Sequence, residues 1–397
     1  MIIRNIYLEK LERLKNKQLI KVITGIRRCG KSTLMKMFQE KLLSEGINKN
    51  QIISLNFDDP NNEKLLDYKE LYNFINKKLL TKNKYYIFLD EIQNVESFEK
   101  AVNGLFIKDN TDIYITGSNA YFLSGELATF LSGRYATIEM LPLSFKEYLS
   151  AFNDKTDVLV KYNNYLINGS FPYILKLDNY DDIRTYLSGI YNTVIIKDVA
   201  TRKNITNINV LQDVIKFLFD NIGNLTSIRK IADTMTSKGR KISNHTLDNY
   251  ISALTDSYIL YKVQRYDIKG KQYLDTINKY YIPDIGLRYY LLGNKPDDKG
   301  HILENIVYLE LLRRGYKVYV GKIESFEIDF ITEKNGYTEY YQVAQTVMDE
   351  NILQRELKPL NSVKDHNPKY LLTMDIVPEV SHNGIRQMNI IDWLLQD

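Results

Sequence analysis

With 397 residues, 44% of them hydrophobic and 26% charged, the chain has the composition of a folded globular protein, not of a disordered or fibrous one, and its length suits roughly two to four domains of 100 to 150 residues. A net charge of +4 is small for a dedicated nucleic-acid binder; the single Cys29 excludes an internal disulfide, and the four histidines lack zinc-ligand spacing. No apolar run approaches the roughly 18 residues of a membrane span, and Met1-Ile2-Ile3-Arg4-Asn5 has none of the blocks of a signal peptide, so a cytoplasmic protein with no membrane partner is expected.

From residue 18 to 145, apolar runs of strand length alternate with helical patterns, as in a parallel sheet flanked by helices. Strands are expected at 19–24, 52–57, 85–89, 113–116 and 136–141. The first runs directly into Gly25-Ile26-Arg27-Arg28-Cys29-Gly30-Lys31-Ser32, and a helix opens at Lys31. A strand, a glycine-bracketed loop and a helix in that order let backbone N–H groups curl around phosphates, with the helix N-terminus adding its dipole. The candidate contacts to ATP are Gly25, Ile26, Arg27, Arg28, Cys29, Gly30, Lys31, Ser32 and Thr33. Lys31 brings a point charge to the β- and γ-phosphates, and the Ser32 hydroxyl is a magnesium ligand. Arg27 and Arg28 lie outside the required positions, so they either touch phosphate or face solvent.

The third strand ends in Asp90-Glu91, two acids delivered to the carboxyl edge of the sheet, where ligands bind. Asp90 is expected to hold magnesium, and Glu91 to polarise the attacking water as general base. The fourth ends in Thr116-Gly117-Ser118-Asn119, where Ser118 or Asn119 orients that water or simply makes a turn. Arg134 reads either as an arginine finger offered to a neighbouring subunit, which requires a homo-oligomer, or as a surface arginine.

Ser144-Phe145-Lys146-Glu147 is a capping box that opens a mostly helical stretch reaching about residue 208. Three helical patterns followed by two alternating segments over 209–275 suggest a winged helix-turn-helix. Its turn carries Lys238, Arg240 and Lys241, and its next helix Asn244, His245 and Asn249, a layout that serves either DNA or protein contacts. A helix at 301–313 and strands near 318–320, 327–332, 339–344 and 370–374 make a separate α/β unit.

The loop, Asp90-Glu91, Thr116-Gly117-Ser118, Gly133-Arg134, Leu141-Pro142-Leu143-Ser144-Phe145-Lys146-Glu147-Tyr148 and Gly169-Ser170-Phe171-Pro172 together resemble the AAA-type (AAA_14) ATP-binding proteins of bacteria and archaea that carry a C-terminal DUF4143 domain. Ile196-Lys197-Asp198-Val199, Gly300-His301-Ile302-Leu303-Glu304-Asn305 and Glu327-Ile328-Asp329-Phe330 extend the resemblance through the tail. It implies an AAA-like ATPase core at 1–143, a helical lid at 144–208, a winged helix at 209–280 and a restriction-endonuclease-like α/β module at 281–397. A nuclease of that kind needs a helix acid, a strand Asp and then Glu-x-Lys. Glu304 and Asp329 match the first two, but the third position reads Gln342-Val343-Ala344, which argues against cleavage. The expectation is therefore a magnesium-dependent ATPase whose nucleotide state moves the C-terminal modules. The rival reading is a switch that holds ATP with little turnover and uses its tail as a binding module.

Overall fold

The computed structural model describes residues 2–118, 133–154, 156–202, 205–295 and 298–396. The chain divides into two units, Met1–Pro142 with Asp256–Tyr258, and Leu143–Thr255 with Ile259–Asp397.

In the first unit, α1 (Asn5–Leu14) precedes β1 (Ile20–Thr24), α2 (Lys31–Ser44), β2 (Ile52–Asn56), α3 (Tyr68–Lys78), β3 (Tyr85–Asp90), α4 (Phe98–Phe106), β4 (Thr111–Thr116) and β5 (Tyr135–Glu139). All five expected strands are present. They pair in parallel in the order β2-β3-β4-β1-β5.

The two faces of this sheet follow from the two-residue period of a strand. Tyr85, Ile87 and Leu89 share one apolar cluster with Ile20, Val22, Ile113 and Ile115, covered by Leu71 and Ile75 of α3 and by Ala101, Val102 and Leu105 of α4. The alternate residues face α2: Phe88 stacks on Tyr114 with ring centroids 4.7 Å apart, and Phe38 of α2 lies 5.3 Å from Tyr114. Asp90 has the parity of Phe88, so the strand directs it to the side on which α2 begins.

The second unit opens with α5 (Phe145–Leu149), whose N-cap Ser144 and Glu147 form the capping box read from sequence. There follow α6 (Val158–Asn168), α7 (Tyr180–Ile190), a wide helical turn Tyr191–Asp198, α8 (Val199–Arg202), α9 (Ile208–Asp220), α10 (Ile228–Ser237) and α11 (Asn244–Asp256). Strands β6 (Tyr261–Asp267) and β7 (Gln272–Tyr281) pair antiparallel as a wing-like hairpin.

After α12 (Ile285–Leu292) and α13 (Lys299–Arg313) come β8 (Lys317–Ile323), β9 (Phe326–Lys334), β10 (Tyr337–Val343), α14 (Glu350–Ser362), β11 (Lys369–Thr373), β12 (Val380–His382), β13 (Ile385–Asn389) and α15 (Ile390–Leu395). One mixed sheet of eight strands, in the order β12-β13-β11-β10-β9-β8-β6-β7, contains the hairpin as well as the tail. The outer edge of β6 pairs in parallel with β8 through Arg265–Val320, Tyr266–Gly321 and Asp267–Lys322. Pairing satisfies backbone groups that a free hairpin leaves open, so a single sheet spans the 280/281 position at which the sequence suggested a boundary. Among the described residues, no helix is long and apolar enough to cross a membrane.

Candidate active site

The loop between β1 and α2 is held in a conformation that its glycines make possible. Gly25 has φ 136° and Gly30 φ 106°. A Cβ on Gly25 would stand 2.1 Å from the carbonyl oxygen of Met140, so the close passage of β5 beside the loop admits glycine alone. Arg28, at φ 72°, takes the left-handed region without that freedom. Cys29 is fully buried, which raises its thiol pKa and leaves it without the thiolate character of a reactive cysteine.

Lys31 is buried at the first turn of α2; its Nζ donates to the carbonyl oxygen of Gly25 at 3.1 Å and lies 3.8 Å from Glu91 Oε1. Ser32 is half-buried and Thr33 exposed in the same turn. Arg27 lies 3.6 Å from Asp58 Oδ2, and Arg28 is exposed. Ile26 is buried. The loop thus gathers Gly25 to Thr33 around one helix N-terminus, where backbone N–H groups have no helical acceptor.

Strand β4 lies between β1 and β3, so the end of β4 separates the loop from the acid pair. Thr116, the last residue of β4, donates from Oγ1 to Asp90 Oδ1 at 2.6 Å, and the same oxygen accepts the backbone N–H of Glu91 at 2.8 Å. From the other neighbouring strand, Asn56 donates to Asp90 Oδ2 at 3.2 Å, in the register that sets Asn56 opposite Asp90. Glu91 adopts the left-handed region, φ 53° and ψ 44°, and its Oε2 accepts a hydrogen bond of 2.5 Å from Gln93. Such a conformation is costly for a residue with a Cβ and persists where surrounding contacts impose it. Here it turns Glu91 off the strand line so that both acids stand at one sheet edge.

The sequence-derived residues Lys31, Asp90 and Glu91 are therefore brought together. Ser118 is buried at the end of β4, and Asn119 lies outside the described residues. Arg134 is not at this edge. It immediately precedes β5, its carbonyl accepts the N–H of Ile20 at the start of β1, and its guanidinium donates to Asn103 at 2.7 Å. That is the opposite end of the same strands, about 13 Å from Thr24 at roughly 3.3 Å per residue. Arg134 therefore cannot serve the loop of its own chain.

The donor set at this edge, a serine hydroxyl with two carboxylate side chains, is hard oxygen and fits magnesium, which takes its remaining ligands from phosphate and water. In the tail the fit fails. Glu304 and Asp329 do converge, but on the ammonium of Lys279, whose Nζ is 2.6 Å from Glu304 Oε1, 2.8 Å from Glu327 Oε1 and 3.5 Å from Asp329 Oδ1. Tyr281 also donates to Glu304. Gln342 spends its side-chain amide on Glu356 at 3.0 Å, and Ala344 is a buried core residue. The chain's own cation stands among these acids. Among the described residues no three His, Cys, Asp or Glu side chains are arranged to hold a metal ion.

Sequence reasoning missed Asn56, Thr116 and Gln93 as partners of the acid pair, and Lys279 in the tail. Strand-by-strand register could have suggested Asn56 and Thr116. Nothing local marks Lys279 as buried. In the basic turn, Arg240 is already paired with Asp213 at 2.7 Å, and Lys238 lies over the ring of Phe217 at 5.9 Å. Asn249 and His245 are within 3.3 Å of each other on α11.

Residues 17–149 match the model of an AAA domain, AAA_14, and residues 159–298 match a domain of unknown function, DUF8612. The matched domain is DUF8612 rather than the DUF4143 that the motifs suggested, and its match ends before Gly300. An uncharacterized protein of Haemophilus influenzae is 42% identical over 100% of this chain and 99% of its own length. Uncharacterized protein MJ1544 of Methanocaldococcus jannaschii is 30% identical over 87% of this chain and 79% of its own. Among solved structures, the Walker-type ATPase PABY2304 of Pyrococcus abyssi aligns with 73% of this chain and 96% of its own, at 16% identity and a TM-score of 0.47. With a glycine-bracketed loop and an acid pair at one edge of a parallel sheet, and with relatives matched along most of its length, the chain belongs to the family of the Haemophilus influenzae protein and MJ1544 and carries an AAA domain of the P-loop type at its N-terminal side.

Proposed function

We propose that this protein is a magnesium-dependent ATPase that hydrolyses ATP at the edge formed by residues 25–33, Asp90 and Glu91. The observation that carries the reading is the joint orientation of Asp90 and Glu91 by Thr116 beside the buried Lys31. A mere strand end would leave two solvated acids; here each has its own fixed partners. Lys31 and the N–H groups of the loop bind and orient the triphosphate. Magnesium, held through Ser32 and Asp90, supplies charge neutralisation for the phosphates when bound. Glu91 accepts the proton of the attacking water, while Gln93 and Lys31 keep its carboxylate in place. The Ser118–Asn119 segment serves as the sensor of the γ-phosphate.

Loss of that phosphate removes contacts to Lys31 and the 118–119 segment, and this change drives rearrangement of the C-terminal modules. Because Arg134 cannot reach its own loop, a finger role would require a neighbouring copy in a homo-oligomer; its bond to Asn103 fits the surface-arginine reading equally. With such a finger, turnover should rise more steeply than protein concentration. With Arg240 paired to Asp213 and Arg229 to Asp233, DNA contact would rest on Lys238 and Lys241 of the turn and on Asn244, His245 and Asn249 of the next helix.

Turnover of the Glu91→Gln variant tests the assignment. Gln keeps the shape but not the proton acceptor, so hydrolysis should fall by roughly 100- to 10,000-fold while ATP stays bound. Unchanged phosphate release would exclude Glu91 as the base. Slow wild-type turnover at a level equal to that of the variant would favour the ATP-loaded switch.

A further inference from the structure

Arg4 is a surprising residue to find buried. It stands at the start of α1, 3% exposed, with its guanidinium 4.9 Å from the ring of Tyr7. One amino group, Nη1, donates to the carbonyl oxygen of Cys29 at 3.1 Å. The other, Nη2, donates to the carbonyl oxygens of Leu141 at 2.7 Å and Pro142 at 3.4 Å. The hydroxyl of Tyr7 accepts the N–H of Leu141 at 3.0 Å. A planar fork of fixed geometry thus grips the phosphate-binding loop with one prong and the last residues of the ATPase unit with the other.

The grip on Cys29 has a consequence for the loop. In a planar trans peptide the C=O and the following N–H point in opposite directions. Drawing the Cys29 carbonyl toward Arg4 therefore turns the N–H of Gly30 away from it, and Gly30, in the left-handed region, accommodates that setting. Residues 140–142 also bound the loop from outside: Met140 N–H donates to Thr24 at 2.8 Å, and the Met140 carbonyl is the atom a Cβ on Gly25 would strike. Any change in the 29–30 peptide must move the guanidinium, and the guanidinium holds the segment at which the first unit ends.

We propose that Arg4 is a positioning residue that presets the phosphate-binding loop and transmits its nucleotide state to residues 141–142, where the chain leaves the ATPase unit. This rests on the ATP reading above. A guanidinium is needed because the role requires two directed donors on one rigid plane; an ammonium can hold one carbonyl or the other as a point charge.

The test compares wild type, Arg4→Lys, Arg4→Met and the milder Tyr7→Phe by hydrogen exchange of peptides covering 26–33 and 139–145, with and without magnesium and ATP. Binding of a fluorescent ATP analogue is measured in parallel. Without nucleotide, Tyr7→Phe, which removes the acceptor of the Leu141 N–H, should speed exchange at Leu141, and Arg4→Met, which frees the Leu141 carbonyl, should do so to a smaller degree. With ATP, both peptides should be protected in wild type, whereas in Arg4→Lys the loop peptide should respond and the 139–145 peptide should not. Affinity should drop on the order of ten-fold in Arg4→Met and be largely restored in Arg4→Lys. Equal protection of 139–145 in wild type and Arg4→Lys, or lost thermal stability with unchanged affinity, would overturn the proposal and leave the ATP reading standing. A wild type that binds no analogue, like the Lys31→Ala control, would overturn the ATP reading itself, and transmission with it; the nucleotide-free exchange at Leu141 would still report whether the strap exists.

Discussion

The Thr116 hydroxyl and the Asp90 carboxylate are joined by a hydrogen bond of 2.6 Å, and the oxygen that donates it also accepts the N–H of Glu91 at 2.8 Å. One side chain on β4 therefore fixes the direction of both acids on β3. Replacing it with valine keeps the shape and removes the oxygen. Thr116→Val should lower kcat on the order of 10- to 100-fold, the usual cost of losing a residue that orients a ligand, with ATP affinity nearly unchanged. Thr116→Ser should recover most of the rate. Steady-state kinetics with analogue binding would show this; an unaltered kcat in Thr116→Val would mean the acids hold their geometry without it.

The five-stranded parallel sheet also contains a fully buried ion pair. Lys21 and Asp112 bond directly; Asp112 further accepts from Asn16 N–H at 2.8 Å and Tyr114 OH at 2.9 Å, and Lys21 donates to the Lys17 carbonyl at 2.8 Å. Burial pulls the Lys21 pKa down against the attraction of Asp112. Lys21→Ala leaves a carboxylate in the core without its counter-charge, so urea unfolding should show a loss of about 3–5 kcal/mol. A Lys21→Met, Asp112→Leu double variant should lose much less, because no charge is stranded. Equal losses in the two proteins would show that the pair stabilises in its own right.

In the tail, burial and the nearby charge of Glu304 raise the Asp329 pKa to about 8, although Lys279 opposes them. Glu304 goes the other way: Lys279 and the hydrogen bonds it receives outweigh its burial and lower it. Between the unfolded value near 3.8 and the folded value near 8, Asp329 keeps a proton that the unfolded chain gives up. Its contribution to stability therefore falls as pH rises through that window. Thermal unfolding at about pH 5 and about pH 9 should show wild type losing more on alkalinisation than Asp329→Asn. Parallel profiles would mean that Asp329 titrates as an ordinary carboxyl.

Because the Lys279 ammonium already occupies the space between the acids of the tail, and Gln342 and Ala344 replace the Glu and Lys of a nuclease, plasmid DNA incubated with this protein, magnesium or manganese, and ATP should stay intact. Clean cuts that disappear in Asp329→Ala would reverse this view of the tail.

The periodic features were legible. Apolar runs at 19–24 and 85–89, a glycine-bracketed loop and two terminal acids led to the right strands and to one sheet edge, because a buried parallel strand must be apolar until it reaches its ligand end. The capping box at Ser144 was equally local. Contacts that cross the sequence were not. Nothing in the sequence singles out Lys21, Lys279 or Arg4, since only the assembled sheets and loop bury them. The pairing of β6 with β8 depends on an open edge that no propensity reveals. Strands β12 and β13 escaped notice because they are short and sit at the other end of the same sheet.

The central claim is that residues 25–33 close around ATP with Lys31 at its phosphates. Calorimetric titration of magnesium and ATP into wild type and Lys31→Ala tests it most directly. Saturable heat in wild type and none in a folded Lys31→Ala is the predicted result; no heat in folded wild type, or equal binding by both, would contradict it.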